Sequence, residues 1–479
     1  MTYTSFPYLL LCTGLVPVYY LFPQKLRYLV LLAGSALFYL FTMGRRAQLL
    51  LFFLTIALSY GAGLLIESTR DKTRKKCILA LSIVLCLIPL LLPKLDQITS
   101  PPGNSRFDWV IPLGLSFYTL QIISYLIDIY RGKITAQRHF LKYALFISFF
   151  PQLLQGPIPR FQALWPSLTE GNAYRHENLT KGAMLILWGF FLKYMIADRA
   201  GTAVDTLFSH AAMYQGTYVL IAGTLYSIQL YADFLSATTI AQGVGALYGV
   251  SLSDNFRHPY FAVSIQDFWR RWHISLSTWL RDYVYIPLGG SRKGTLRRYI
   301  HVLITFLVSG LWHGGGIHFL AWGLLHGLYQ TAGALLMPLR KKFCRLIRLQ
   351  EASFSCRFYR TILTSFLVML GWILFRAETL TKGLSMIVSM ITVRNPWIFF
   401  DGSLSSIGLS QTDWFLLILS VLVLLLVSFL QERMCIRDWV LEQHILFRWM
   451  LYIAVFLVIW IFGSYGYGFS PQAFIYGNF

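Results

Sequence analysis

Long apolar stretches alternate with short polar or basic ones along almost the whole chain. A helix that crosses a bilayer needs about 20 mainly apolar residues, and many windows meet or approach that length. Trp414 to Phe429 carries no charge, and neither does Met450 to Phe462. The pattern predicts spans at Tyr8–Phe22, Tyr28–Phe41, Leu49–Ile66, Ile78–Leu92 and Trp109–Tyr130. Further spans are expected near 180–197, 217–234, 299–337, 361–375, 383–392, 412–430 and 447–463. Residues 94–107 read as a Pro/Gly-rich, nearly neutral loop. The run Phe149 to Pro159 holds three prolines and cannot continue as a plain helix, because each removes a donor and clashes with the preceding turn. Such backbone survives at membrane depth only against protein or a water-filled cavity, so this stretch is either interfacial or part of a cavity wall. The expected fold is an all-α integral membrane protein, residues 1–479 forming a single membrane domain of about 10–12 spanning or half-spanning helices.

Composition sharpens this. Hydrophobic residues make up 56% of the chain and charged ones 13%, against about 25% charged in a soluble globular protein. The net charge is +21, from 41 Lys and Arg against 20 Asp and Glu. Basic residues gather in cytoplasmic loops, which places the dense run Arg70 to Lys76 in the cytoplasm. Counting back three spans puts the N-terminus outside, and with it Arg45 and Arg46, against the rule. A cytosolic anionic substrate, such as a coenzyme A thioester, could use the same charge. Nucleic-acid binding is a poor third reading of the charge, for want of a basic soluble module. The six cysteines form no CxxC pair and suggest neither a disulfide framework nor a zinc motif. The N-terminus has no basic region before its apolar run and reads as a retained span, not a removable signal.

Two stretches carry the chemistry. In Phe268-Trp-Arg-Arg-Trp-His-Ile-Ser-Leu-Ser-Thr-Trp-Leu-Arg-Asp-Tyr283, helical periodicity puts Phe268, Trp269, Trp272, Leu276, Trp279, Leu280 and Tyr283 on one face. Arg270, Ser277 and Arg281 lie opposite, and His273 falls at the edge. A helix lying at the membrane boundary has this character. The second stretch, Leu307 to Phe319, contains Trp312-His-Gly-Gly-Gly316. His313 is about 14 residues past Tyr299, roughly 20 Å into the bilayer, where an ionisable group is costly and a functional candidate. Gly314, Gly315 and Gly316 let the backbone unwind or approach a ligand closely. The bland alternative is a neutral histidine satisfied by a neighbouring helix. For transfer of an acyl group, a hydroxyl needs a base to take its proton as it attacks, and imidazole suits that task near neutral pH. His273 could orient the acceptor or steady the oxyanion. His313, His318 and His326 do not have the spacing of a zinc helix, and no metal is expected. His139, His176, His210, His258, His301 and His444 read as surface residues near loops or span ends. No phosphate loop, nucleophile elbow or dinucleotide fingerprint is present.

At these residues the chain resembles the membrane-bound O-acyltransferase family, in particular its bacterial branch containing the alginate O-acetylation membrane protein. The resemblance rests on Asp267 to Gly294, Gly310-Leu-Trp-His-Gly314, Ala321 to Gly327, Asn255-Phe-Arg-His-Pro-Tyr260 and Gly371-Trp-Ile-Leu-Phe-Arg-Ala377, and it spans most of 110–380. It implies N-terminal spans in 1–100, a catalytic core in 110–380 and C-terminal spans in 381–479. It implies His313 as the catalytic base and His273 as its partner. Trp312, Trp269, Trp272, Arg270, Arg271, Arg281, Ser277 and Asn255 are the candidate substrate contacts, the arginines at a cytosolic donor entrance because Arg pairs well with phosphate. The alternative for these arginines is contact with lipid headgroups or with carboxylates such as Asp282. The resemblance further implies helices ringing a thinned centre with a through-going tunnel. Acetyl-coenzyme A would be the donor, no cofactor would be permanently bound, and an exported polysaccharide would receive the acetyl group. The lipid bilayer, an extracytoplasmic acetyltransferase or esterase-like protein and polysaccharide export machinery would be the partners, in a bacterial inner membrane. Two departures stand out. Asp233 to Thr239 lacks the second acid of the family's Asp-Phe-Ser-Gly-Tyr-Ser-Asp, and the ending Phe474 to Phe479 differs from Phe-Ile-Tyr-Phe-Gln-Phe.

Two other readings compete. D-alanyl transfer from a carrier protein to teichoic acid belongs to a sister branch, against which the block Ile286-Pro-Leu-Gly-Gly290 counts. A polymer or lipid transporter accounts for the spans but not for the two histidine blocks together, and a secretion scaffold predicts that both histidines are dispensable.

Overall fold

The computed structural model describes residues 3–99, 107–153, 155–292, 294–466 and 474. The prolines of the 94–107 segment, and the C-terminal ending apart from Phe474, lie outside these. Among the described residues the regular structure is helical: α1 (Phe6–Leu21), α2 (Arg27–Thr42), α3 (Arg46–Ser68), α4 (Lys72–Thr99), α5 (Leu115–Tyr130), α6 (Phe140–Ser148), α7 (Phe150–Leu153), α8 (Phe161–Thr169), α9 (His176–Phe191), α10 (Asp198–Ser209), α11 (Thr217–Leu247), α12 (Ile265–Arg271), α13 (Ile274–Leu280), α14 (Thr295–His313), α15 (Ile317–Leu335), α16 (Met337–Leu346), α17 (Phe354–Arg376), α18 (Leu380–Thr392), α19 (Gln411–Gln431), α20 (Ile436–Glu442) and α21 (Ile445–Phe462). Eight helices, counting His176–Ser209 as one, are long and apolar enough to cross a membrane, and three shorter apolar ones join them. The protein is an all-α, multi-pass membrane protein.

Burial grades the helices from centre to rim. The span in α11 is 78% buried and that in α21 is 6%, so α11 is enclosed by protein while α21 offers its side chains to lipid. Lys193 sits on a π-helical segment, Leu192–Ala197, joining α9 to α10. It reaches Asp233 of α11 at 2.7 Å and Asp198 at 2.9 Å. Asp233, the acid kept from the family's motif, is therefore an ion-pair partner inside the bundle. Thr239, where the second acid is missing, is also buried within α11.

Cross-links between loops define two faces. On one, Arg138 meets Glu67 at 3.2 Å, Arg160 meets Asp282 at 3.0 Å and Arg271 meets Glu432 at 2.6 Å. This basic face also carries Arg70 to Lys76 and the cations of α16. On the far face Arg45 meets Asp108 at 2.7 Å, and Asn395 Oδ1 accepts the Thr217 amide at 2.7 Å.

The structure corrects several expectations. The prolines at 89 and 93 do not end α4, which continues to Thr99, so Lys94 lies in a helix and not in a loop. Proline is tolerated inside a membrane helix because neighbours satisfy the freed backbone groups. The apolar region 299–337 is a hairpin, α14 followed by α15. A Cβ on Gly310 would lie 2.4 Å from the Phe319 carbonyl oxygen, and one on Gly323 would lie 2.3 Å from that of Phe306. Small residues at this seam let the two backbones close up. The proline-rich run is enclosed by protein: Phe149, Phe150, Gln152 and Gln155 are buried, and the Tyr3 hydroxyl donates to the Pro151 carbonyl at 2.7 Å. His301, expected at the surface, is buried with its Nδ1 2.9 Å from the Gly290 carbonyl.

Candidate active site

His313 is the last residue of α14, where the chain turns into α15. It is 2% exposed. The Trp312, Trp322 and Phe375 rings pack around its imidazole with centroids at 4.8, 5.1 and 5.3 Å. The ring is nevertheless not sealed among lipid-facing groups. It lines a cavity of about 470 Å³ together with Lys94, Gln97, Ser116, Gly314 and Phe319, and with residues from the far-face ends of α2 and α3.

The loop after His313 is seated on α4. A Cβ at Gly315 would lie 2.1 Å from the Lys94 carbonyl oxygen, and the Gly315 amide donates to Gln97 Oε1 at 3.2 Å. The Lys94 ammonium donates to the Trp312 carbonyl. Close backbone approach is thus realised, but at Gly315 it is to a neighbouring helix.

His273 is reached by a different device. The expected continuous helix does not form: α12 stops at Arg271, α13 starts at Ile274, and His273 between them has φ +43°. Left-handed backbone at a non-glycine residue is strained and recurs at functional sites. Asn255 explains the break. Its carbonyl accepts the Ile274 amide at 2.9 Å. Its Oδ1 accepts the Ser275 amide at 3.1 Å and hydroxyl at 2.9 Å, and stands 3.2 Å from His273 Nδ1. The Ser275 amide can only donate, so the shared atom is the amide oxygen. His273 therefore carries its proton on Nδ1, and in the neutral ring Nε2 holds the lone pair. The aromatic stretch is not an interfacial helix either. Phe268, Trp272, Leu276 and Trp279 are buried, and Trp279 Nε1 donates to the Leu120 carbonyl at 2.9 Å.

The two histidines share a neighbour. The Trp312 centroid is 6.0 Å from that of His273 and 4.8 Å from that of His313, and Trp312 Nε1 is anchored on the Ser116 carbonyl at 3.1 Å. Phe234 of α11 closes the other side of His273 at 4.7 Å.

The remaining candidates separate into two groups. Trp269 donates to His326 Nδ1 at 3.3 Å and Trp272 stacks on Phe268 at 5.5 Å, so both belong to the aromatic wall behind the histidines. Ser277 donates to the Trp272 carbonyl at 3.2 Å. Arg270 is exposed, Arg271 is held by Asp267 and Glu432, and Arg281 is held by Asp282. These three arginines lie on the basic face and do not line the cavity at His313. Sequence reasoning missed Lys94, Gln97, Trp322 and Phe375. A signal for Lys94 existed: a lone cation after Leu90-Leu-Leu-Pro93.

Comparison with known proteins places this site in context. The model of the membrane-bound O-acyltransferase family matches residues 133–370. The probable alginate O-acetylase AlgI of Pseudomonas fluorescens is 35% identical over 369 residues, 76% of this chain and 70% of that protein. A peptidoglycan O-acetyltransferase of Helicobacter pylori is 35% identical over 308 residues, 59% and 57% of the two chains. A teichoic acid D-alanyltransferase of Bacillus subtilis is 28% identical over 292 residues, 57% and 72%. The chain belongs to the membrane-bound O-acyltransferase family. It is an acyltransferase that acts within a membrane.

Proposed function

We propose that this protein moves an acetyl group from cytosolic acetyl-coenzyme A to hydroxyls of an exported polysaccharide, with His313 as the base. The observation that carries the reading is the buried imidazole lining a cavity at the far-face end of the helices. By the positive-inside rule the basic face is cytoplasmic, so that cavity lies on the acceptor's side of a bacterial inner membrane. The acceptor hydroxyl gives its proton to His313 as its oxygen attacks the thioester carbonyl carbon. The carbonyl electron pair moves onto oxygen and then re-forms the double bond as the C–S bond breaks. The thiolate leaves with a proton, and the ester stays on the acceptor. The aromatic enclosure keeps bulk water from the thioester. Asn255 fixes the Nδ1–H of His273 and so holds that second imidazole in one orientation with Nε2 as an acceptor. An extracytoplasmic esterase-like partner would carry the acetyl group onward. The relatives that acetylate alginate or peptidoglycan support a carbohydrate acceptor.

The test uses the purified protein in lipid nanodiscs with radiolabelled acetyl-coenzyme A, and in parallel with a D-alanyl carrier protein. Label should pass from acetyl-coenzyme A to a polysaccharide acceptor, and His313→Ala should lower turnover by at least about 10²-fold, the lower end of what a general base supplies, while eluting as wild type on gel filtration. Label taken only from the D-alanyl carrier would move the protein to the sister reaction. Near-normal transfer by His313→Ala would remove the imidazole from the mechanism.

A further inference from the structure

Lys94 is the one Lys, Arg, Asp or Glu among the described residues lining the His313 cavity. It lies in an apolar run of α4 and is 7% exposed. A charge held at that depth is expensive unless it is paired or used. Here its ammonium donates to the carbonyl of Trp312, the residue before His313. The last four carbonyls of a helix lack partners within the helix, and together they carry partial negative charge. In α14 the Gly310 carbonyl is taken by the Gly314 amide at 3.2 Å, and the Trp312 carbonyl is taken by Lys94. Two further contacts clamp the same turn to α4: the Gly315 amide on Gln97, and Gly315 against the Lys94 carbonyl.

We propose that Lys94 is a positioning residue of the transfer site, its ammonium capping the end of α14 and fixing the imidazole of His313 against the cavity. This rests on His313 acting in the proposed transfer. Misplacing a reacting group by about 1 Å can cost about 10²-fold in rate, and the cap acts on the residue next to the base.

The test pairs two variants in nanodiscs. Lys94→Met keeps the volume and removes donor and charge. Lys94→Gln keeps a donor. Lys94→Met should lower kcat by about 10²-fold with the KM for acetyl-coenzyme A within twofold of wild type, and Lys94→Gln should recover part of the loss. A second readout needs no donor substrate: carbethoxylation of His313 by diethyl pyrocarbonate, followed by mass spectrometry, should run at a different rate in Lys94→Met than in wild type. Wild-type kcat and an unchanged carbethoxylation rate in a folded Lys94→Met would overturn the proposal. So would a Lys94→Gln as impaired as Lys94→Met, or failure of both to fold, since Lys94 would then serve the bundle and not the imidazole. A wild-type protein inactive with every donor would sink the transfer reading alone, and the carbethoxylation rate would still decide on Lys94.

Discussion

Asn255 shows how a single side chain can set a site from 18 residues away. Its Oδ1 gathers two donors of Ser275 and lies beside His273 Nδ1, while its carbonyl takes the Ile274 amide. Replacing it by leucine keeps the branched shape and the backbone carbonyl but orphans the two Ser275 donors and the His273 Nδ1–H. Each orphan costs about 1–3 kcal/mol, and the histidine loses the contact that selects its tautomer. Asn255→Leu should therefore lower the thermal unfolding midpoint and reduce acetyl transfer by about 10²-fold. Asn255→Asp, which keeps an acceptor oxygen, should recover much of both. Melting curves and initial rates in the same detergent check the pair. Equal losses in the two variants would mean that the acceptor oxygen is not the operative feature. His313 stands out in the sequence, because an imidazole beyond a dozen mainly apolar residues is conspicuous, whereas His273 sits at the edge of an aromatic face and is tied to His313 by the family resemblance. The role of Asn255 is not legible there, since nothing local to its own run shows which backbone it will capture.

Hydropathy located most helices to within a few residues, because the bilayer imposes their length. It failed where tertiary contacts overrule a local pattern. The aromatic positions from Phe268 to Tyr283 keep a helical period across a break that only Asn255 explains. Prolines made α4 look shorter than it is, and that hid Lys94. The π-helical segment between α9 and α10 has the same origin in packing: it accompanies a lysine that meets two carboxylates inside the bundle. Removing one partner of a buried ion pair typically costs about 3–5 kcal/mol, because the other charge stays buried and uncompensated. Lys193→Met should accordingly give a markedly lower unfolding midpoint. Adding Asp198→Asn and Asp233→Asn should return most of the loss, since the variant then buries no unpaired charge. A triple variant no more stable than Lys193→Met would show that the lysine stabilises the bundle through packing and not through charge.

At the scale of the molecule, function depends on which face meets the cytosol. The proposed donor, acetyl-coenzyme A, is a charged thioester that does not cross a bilayer, whereas the cavity at His313 lies toward the far-face ends of α2, α3 and α4. Two native thiols report on this orientation. Cys77 and Cys435 are exposed, while Cys12, Cys86, Cys344 and Cys356 are buried. Cys77 lies among the cations at the start of α4, and Cys435 sits between Arg433 and Arg437, so both belong to the basic face. Ser405, exposed in the connection between α18 and α19, belongs to the other. In intact spheroplasts a membrane-impermeant maleimide should label Ser405→Cys and leave Cys77 and Cys435 untouched until the membrane is permeabilised. The reverse pattern would turn the cavity toward the cytosol. Its imidazole would then face the donor's compartment, and the acceptor would have to be cytosolic as well.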